Sequence, residues 1–171
     1  MKEIITERLV LRHFKDGDAD AMYNNWTYDE RVAKYCRWYP HNNVSETEMF
    51  LDYCKSAEYC WAITLKDKDE PIGCVEVVRM SEDNVPEIGY VLGHDYWGKG
   101  IMSEAVKAVI TELFDCGFEK VEACHNIDNP ASGKVMEKVG MTYSRNSMGL
   151  KKFGSEEMCE VKYYEAIIYL I

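Results

Sequence analysis

The sequence predicts one mixed α/β (α+β) domain over residues 1–171, with a mostly antiparallel sheet flanked by helices. Three observations predict it. Residues 59–65, 71–80 and 85–92 are strand-like runs that follow one another through short polar turns, which makes an antiparallel meander. The last run enters a loop containing Gly93, Gly98 and Gly100, and an amphipathic helix follows at once. With 171 residues, 47% of them apolar, the chain is close to one average domain and can bury a core without disulfides.

Taken in order, Ile4 to Phe14 alternates as a strand with Leu9 and Leu11 on one face, and Asp16 or Asp18 caps a helix that runs to about Tyr28. The stretch from Trp26 to His41 is irregular and aromatic. Ser45 and Glu48 have the spacing of a capping box that opens a second helix to about Ala57. The hairpin of Tyr59–Leu65 and Pro71–Met80 turns through the charged residues 66–70. In the next helix Met102, Ala105, Val106, Val109, Ile110, Leu113 and Phe114 recur at three- and four-residue steps, and Gly117 stops it. Lys120 to His125 reads as a strand. Asn129-Pro130 supplies an N-cap and an N1 proline to a last helix with Ala131, Val135 and Val139 as its stripe and Gly140 at its end. Met141–Ser147 and Val161–Ile171 are the final strands, and Ala166–Ile171 can pair across a dimer or finish the sheet internally.

Strand, glycine loop and helix N-terminus together hold a phosphate, because glycines let the backbone approach an anion and the first helical N–H groups point at it. Three loops of this kind compete. Gly93, Gly98 and Lys99 have P-loop spacing, but Gly100 stands where a hydroxyl must ligate magnesium. Gly98, Gly100 and Ser103 approach the dinucleotide fingerprint without its third glycine, and an antiparallel meander does not build that parallel fold. The third reading is a coenzyme A pyrophosphate loop. Tyr96-Trp97-Gly98-Lys99-Gly100 followed by Ser103-Glu104-Ala105 resembles the signature of the GNAT N-acetyltransferase superfamily, in its RimJ/RimL-like branch. Thr6-Glu7-Arg8-Leu9-Val10-Leu11-Arg12 with Asp18, Ile72-Gly73, Glu87-Ile88-Gly89-Tyr90, and Asn129, Ser132, Glu137, Lys138 and Gly140 carry the likeness over most of the chain. Three departures stand out: Trp97 occupies a Gln or Arg position, a change usual in this branch, Met102 occupies a Gly or Ala position and can crowd a phosphate contact, and Met136 occupies the position of the tyrosine that protonates the departing thiolate.

The resemblance implies a strongly bent sheet whose two central strands splay apart, with acetyl-CoA as acyl-donor co-substrate wedged in the split and no metal. It implies cofactor-binding roles for Tyr90, Val91 and Leu92 through the main chain, for Trp97, Gly98, Lys99, Gly100, Ile101, Met102 and Ser103 in the loop and helix start, and for Asn129 and Ser132. A thioester is already activated, so a neutral amine held close to it needs no cysteine nucleophile. Glu87 can accept the amine proton directly or through water, or stand as a solvated strand-end carboxylate. Ser132 can serve the thiolate in place of the missing tyrosine, or be an ordinary first-turn serine. Asn129 caps its helix and can also touch the pantetheine arm, while Glu104 steadies the helix N-terminus. Trp38 and Tyr39, with Glu87, are the expected acceptor-pocket residues; otherwise these aromatics close the core. His41 can line the same pocket, His125 is an alternative base, His94 is an exposed loop residue or else bonds the coenzyme, and His13 is structural or exposed.

The net charge of −10 argues against nucleic acid, leaves Lys99 and local donors to attract an anionic coenzyme, and favours an amine substrate. The seven cysteines are scattered, odd in number and never spaced C-x-x-C, so they read as reduced and mostly buried. No apolar run is long enough to span a bilayer, which makes the cytoplasm the default location. The expected acceptor is the N-terminal amine of a protein. A small amine (amino acid, polyamine or antibiotic) is the alternative, and a coenzyme-binding regulatory module without turnover is the other. A monomer or a homodimer fits equally.

Overall fold

A computed structural model describes residues 1–168. Its eight strands form one sheet in the order β1-β2-β3-β4-β5-β6-β8-β7, and its elements alternate two layers around that sheet. The expected first strand is two. β1 (Ile4–Ile5) folds back on β2 (Leu9–Arg12), because the Thr6 hydroxyl accepts the Leu9 N–H at 3.0 Å and closes a turn there. Asp18 precedes α1 (Ala19–Met22) without capping it; its carboxylate instead takes two hydrogen bonds from the Arg12 guanidinium, 2.8 and 2.9 Å. Asp16 is no cap either and pairs with Lys55 at 2.5 Å. A wide π turn, Tyr23–Thr27, ends this helix before the short α2 (Glu30–Ala33).

α3 (Val44–Ser56) begins two residues earlier than the Ser45 capping box predicts. Asn43 is the N-cap, accepting from Glu46 N–H at 3.1 Å, and the Glu46 carboxylate returns to the Asn42 N–H at 2.9 Å. An equally competent Asn-x-x-Glu pair, Asn43 and Glu46, lay two residues upstream. β3 (Cys60–Leu65) and β4 (Lys68–Met80) pair antiparallel, and the turn between them is only Lys66-Asp67, since Leu65 already pairs with Lys68. β5 (Pro86–Leu92) pairs antiparallel with β4. After a 3₁₀ turn, His94–Tyr96, comes α4 (Ile101–Asp115), with Gly117 in the left-handed region at its end as expected.

β6 (Lys120–Asn126) leads to α5 (Pro130–Lys138), capped by Asn129. The buried stripe of α5 is Gly133, Met136 and Val139, whereas Ala131 is exposed. Three-residue spacing from Met136 decides the face, and position 131 falls outside it. β7 (Thr142–Leu150) and β8 (Met158–Ile167) make the last hairpin, longer toward its tip than the sequence suggests. Residues 169–171 of the expected end strand lie outside the described residues. Ala166 pairs with Val121 inside the sheet.

The two sheet faces bury different cores. α4 and α5 cover one face, where Leu9, Leu11, Trp61, Ile63, Val75, Ile88, Leu92, Val121, Ala123 and Met136 pack. α1 to α3 cover the N-terminal half of the other, over Cys60, Ala62 and Cys74 with Trp26 and Leu51. All seven cysteines are free thiols, three of them fully buried. No described helix is long and apolar enough to cross a membrane.

Candidate active site

β5 and β6 are parallel neighbours, but they pair only at Glu87 with Glu122 and Ile88 with Ala123. Beyond these two rungs the strands separate. The edge of β5 from Gly89 to Leu92 that faces β6 therefore has no ladder partner, and unpaired backbone groups in such a cleft are available to an extended ligand. β5 remains anchored on its other side, where Gly73 faces Leu92. A Cβ at Gly73 would sit 2.3 Å from the Val91 carbonyl oxygen, so glycine there permits the close approach.

The glycine loop lies directly after this edge. Gly98 and Gly100 have φ of +72° and +75°, a conformation that turns the chain into α4 and leaves its first N–H groups without intrahelical acceptors. Nothing lies within 4 Å of a Cβ built at Gly98, and only Arg8 Nη2, at 3.6 Å, approaches one at Gly100. The loop is thus an open surface of N–H donors backed by a helix dipole, an arrangement suited to an anion. Trp97 is tethered by its indole N–H, which donates to the Leu92 carbonyl at 2.8 Å. Lys99 extends over the Tyr96 ring. Ile101 and Met102 turn their side chains into the core, so Met102 does not crowd the loop; only its N–H is presented. Ser103 is half-buried in the same first turn.

Glu104 binds neither ligand space nor its own helix end. Its carboxylate accepts from Thr6 Oγ1 at 2.6 Å, Arg8 N–H at 2.9 Å and Arg8 Nε at 2.7 Å, so it clamps the β1–β2 turn to α4. This clamp brings Arg8 to the loop, where its Nη1 donates to the Lys99 carbonyl at 2.9 Å. Sequence spacing missed Arg8 as a loop cation, because the contact crosses more than ninety positions and only the fold creates it.

On the α5 side of the split, the Tyr90 hydroxyl lies 2.9 Å from both the Ser132 carbonyl oxygen and Ser132 Oγ. Burial pushes the Tyr90 phenol well above its ordinary pKa. The resemblance gave Tyr90 a main-chain role alone; its side chain is also in the split. Asn129 does cap α5, its Oδ1 accepting the Ser132 N–H at 3.4 Å. Met136 is fully buried and cannot donate a proton. His125 lies on this same face against Tyr164 and under Gly133, with Nδ1 on the Asn126 carbonyl at 2.8 Å. It is therefore on the opposite face from Glu87 and no base for an acceptor bound there.

The other face carries the polar side chains. Glu87 is 5% exposed, so it is not a solvated strand end. Its Oε2 accepts from Arg79 Nη2 at 2.5 Å and Tyr163 Oη at 3.3 Å, its Oε1 from Cys124 Sγ at 3.5 Å, and Arg37 comes within 3.9 Å. An amine that gave this carboxylate its proton would do so against the charge of Arg79 on its other oxygen. Arg145 lies 4.0 Å over the Tyr163 ring and pairs with Glu122 at 3.1 and 3.0 Å. A groove of about 470 Å³ opens beside these groups, bordered by Arg79, Val85, Lys120, Glu122 and Arg145.

Trp38 is half-buried beside His41, and Tyr39 is 59% exposed. Their loop is held by the β7–β8 hairpin tip: Lys152 Nζ donates to the carbonyls of Ala33, Cys36 and Trp38 at 2.6, 2.8 and 2.9 Å, and Phe153 N–H to that of Arg37 at 2.6 Å. Trp38, His41, Phe50 and Tyr53 form a row of rings with centroids 5.6, 6.0 and 6.1 Å apart. The His41 imidazole, bonded to Thr47 Oγ1 at 2.8 Å, is held below its ordinary pKa by burial. His13 is exposed and bonds the Met1 carbonyl, while His94 packs on Trp97 at 4.8 Å rather than standing free. No group of acidic, cysteine or histidine side chains that could hold a metal exists among the described residues.

Comparison with known proteins gives these features a context. A family described as Acetyltransferase (GNAT) domain matches residues 8–142. The Uncharacterized N-acetyltransferase p20 of Bacillus licheniformis is 33% identical over 150 residues, 81% of this chain and 82% of that protein. Among solved structures, an acetyltransferase (GNAT family) from Bacillus anthracis superposes with a TM-score of 0.85 at 26% identity, covering 97% of this chain and 98% of the other. RimL, a ribosomal L7/L12 alpha-N-protein acetyltransferase solved in complex with coenzyme A, superposes with a TM-score of 0.81 at 20% identity, over 99% and 100% of the two chains. At that identity the last likeness is one of fold.

Proposed function

This chain belongs to the GNAT acetyltransferase family, and from that premise we propose that it transfers the acetyl group of acetyl-CoA directly to a primary amine, in the first place the N-terminal amine of a protein. The observation that carries the reading is the two-rung pairing of β5 with β6 beside a loop with two left-handed glycines. The pantetheine arm pairs with the freed edge at Tyr90, Val91 and Leu92, and the diphosphate is gripped by N–H groups from Trp97 to Ser103 with Lys99 and Arg8 beside them. Acetyl-CoA, when bound, supplies an activated acyl group; the chain supplies placement, donors and a way out for the protons. Ser132 stands ready for the thiolate, with Asn129 positioning its helix turn.

The protein acceptor is favoured by the fold likeness to RimL, a ribosomal L7/L12 alpha-N-protein acetyltransferase. A small amine is the second reading. It is favoured by the Lys152 tie, which fixes one side of the approach along Trp38 and Tyr39. The test is thiol release from acetyl-CoA with a panel of peptides and small amines, alongside calorimetric titration of acetyl-CoA. Peptide turnover supports the first reading, and turnover of small amines alone replaces it with the second. Binding with no turnover leaves a regulatory module, and no binding removes the acetyl-CoA site.

A further inference from the structure

We propose that Glu76, rather than Glu87, takes the proton from the attacking amine, an inference that rests on the acetyl-transfer reading above. Glu76 pairs with Gly89 across β4 and β5, one rung before Val75 with Tyr90. It shares a sheet face with Cys74 and with Glu87, but stands nearer the unpaired edge of the split. Facing it are Tyr53 and Cys54 from α3, Cys60 from β3, Cys74 from its own strand and Cys36 from the loop after α2. Its hydrogen-bond partner is the Tyr53 hydroxyl, which donates to Oε2 at 3.0 Å. No lysine, arginine or histidine pairs with it among the described residues, in contrast with Glu87 and its Arg79. The space beside Gly89 is taken by Val78, whose Cγ1 lies 2.7 Å from a Cβ built there, so an acceptor reaches Glu76 from the side of the ring row Trp38, His41, Phe50, Tyr53.

Burial, ahead of every other influence, lifts the Glu76 carboxyl to about 7, while the Tyr53 hydrogen bond pulls the other way. A carboxylate balanced there can accept a proton and return it at neutral pH. The step balances. The lone pair of a neutral amine bonds to the thioester carbonyl carbon, the nitrogen sheds one proton to Glu76, and the carbon–sulfur pair leaves on sulfur. Sulfur is protonated from solvent by way of Ser132, and Glu76, which is partly exposed, releases its proton to solvent.

The experiment is a pH profile of acetyl transfer to the best amine of the panel, for the full chain and for Glu76→Gln and Tyr53→Phe. In the unmodified chain the rate rises through a limb near 7, below the amine's own limb. Glu76→Gln should lower kcat about a hundredfold, the low end for general-base catalysis, erase that limb and leave the acetyl-CoA KM unchanged. Tyr53→Phe removes a donor that favours the charged carboxylate, so it should move the limb to higher pH and keep the plateau; a purely structural glutamate would not respond in this way. A Gln variant with the limb and rate intact overturns the proposal alone, as does a Phe variant whose limb stays in place should the Gln variant fail to fold. An unmodified chain that turns over no amine overturns the acetyl-transfer reading and this one with it.

Discussion

The Tyr90 hydroxyl and Ser132, forty-two positions apart, meet at 2.9 Å twice over, on the serine carbonyl and on Oγ. The phenol has one proton to give. With that proton on the carbonyl, the serine hydroxyl has its single proton to give either to the Tyr90 oxygen or to a thiolate in the split. Ser132→Ala should lower kcat with acetyl-CoA by about a hundredfold, within the range for general-acid catalysis, with little change in coenzyme affinity. The loss should shrink for an acetyl thioester whose thiol is more acidic, because that sulfur leaves without needing a proton. Equal losses on both donors would exclude a proton-delivery role.

Gly100→Glu should abolish acetyl-CoA binding. At φ of +75° a side chain costs about 1–2 kcal/mol, and the added carboxylate comes within reach of Arg8, whose Nη2 lies 3.6 Å from the Cβ position. Gly100→Asn is the control, since asparagine tolerates that backbone and adds no charge. Calorimetry should show weak or no binding for Glu and retained binding for Asn; identical affinities would remove the loop from the site.

Lys152→Met leaves the carbonyls of Ala33, Cys36 and Trp38 without their shared donor. Stability should fall by about 1–2 kcal/mol, and the melting temperature by roughly 2–4 °C for each of these. The acceptor KM should rise several-fold with the acetyl-CoA KM unchanged, because the freed loop carries Trp38 and Tyr39. A change confined to the acetyl-CoA KM would contradict an acceptor role for this loop.

Gly133→Ala places a methyl 2.7 Å from His125 Nε2 and 3.0 Å from Cε1. Overpacking of this kind costs about 1–3 kcal/mol, against the usual gain from replacing glycine in a helix. Thermal melting should show destabilisation, and the double variant with His125→Ala should recover most of it. A Gly133→Ala protein as stable as the parent would mean that α5 can shift outward at no cost.

Much of the architecture is legible in the residues. Apolar periodicity locates α4 to within a residue, and Gly117 and Gly140 mark the ends of α4 and α5 by the positive φ that they adopt. Asn129-Pro130 states the start of α5. Boundaries set by competition were harder to read. Two cap sequences overlap before α3, and Asn43 won over Ser45. Asp18 looked like a cap until Arg12 claimed it. In each case a short polar side chain had two partners of similar strength, and only packing chose between them.

What the sequence by itself determined is everything carried by local pattern: the meander, the glycine loop, the amphipathic helices, and through the loop's signature the family. The tertiary structure alone decided which charges meet. Glu87 becomes an ion-paired strut because Arg79 stands opposite it across β4 and β5, and Glu104 becomes a clamp because the β1–β2 turn brings Thr6 and Arg8 to it. Glu76 and Tyr90 acquire partners from α3 and α5 that no spacing announces. Backbone preferences act over a few residues, so they are written along the chain, whereas the protonation and reach of a carboxylate depend on neighbours that only folding supplies.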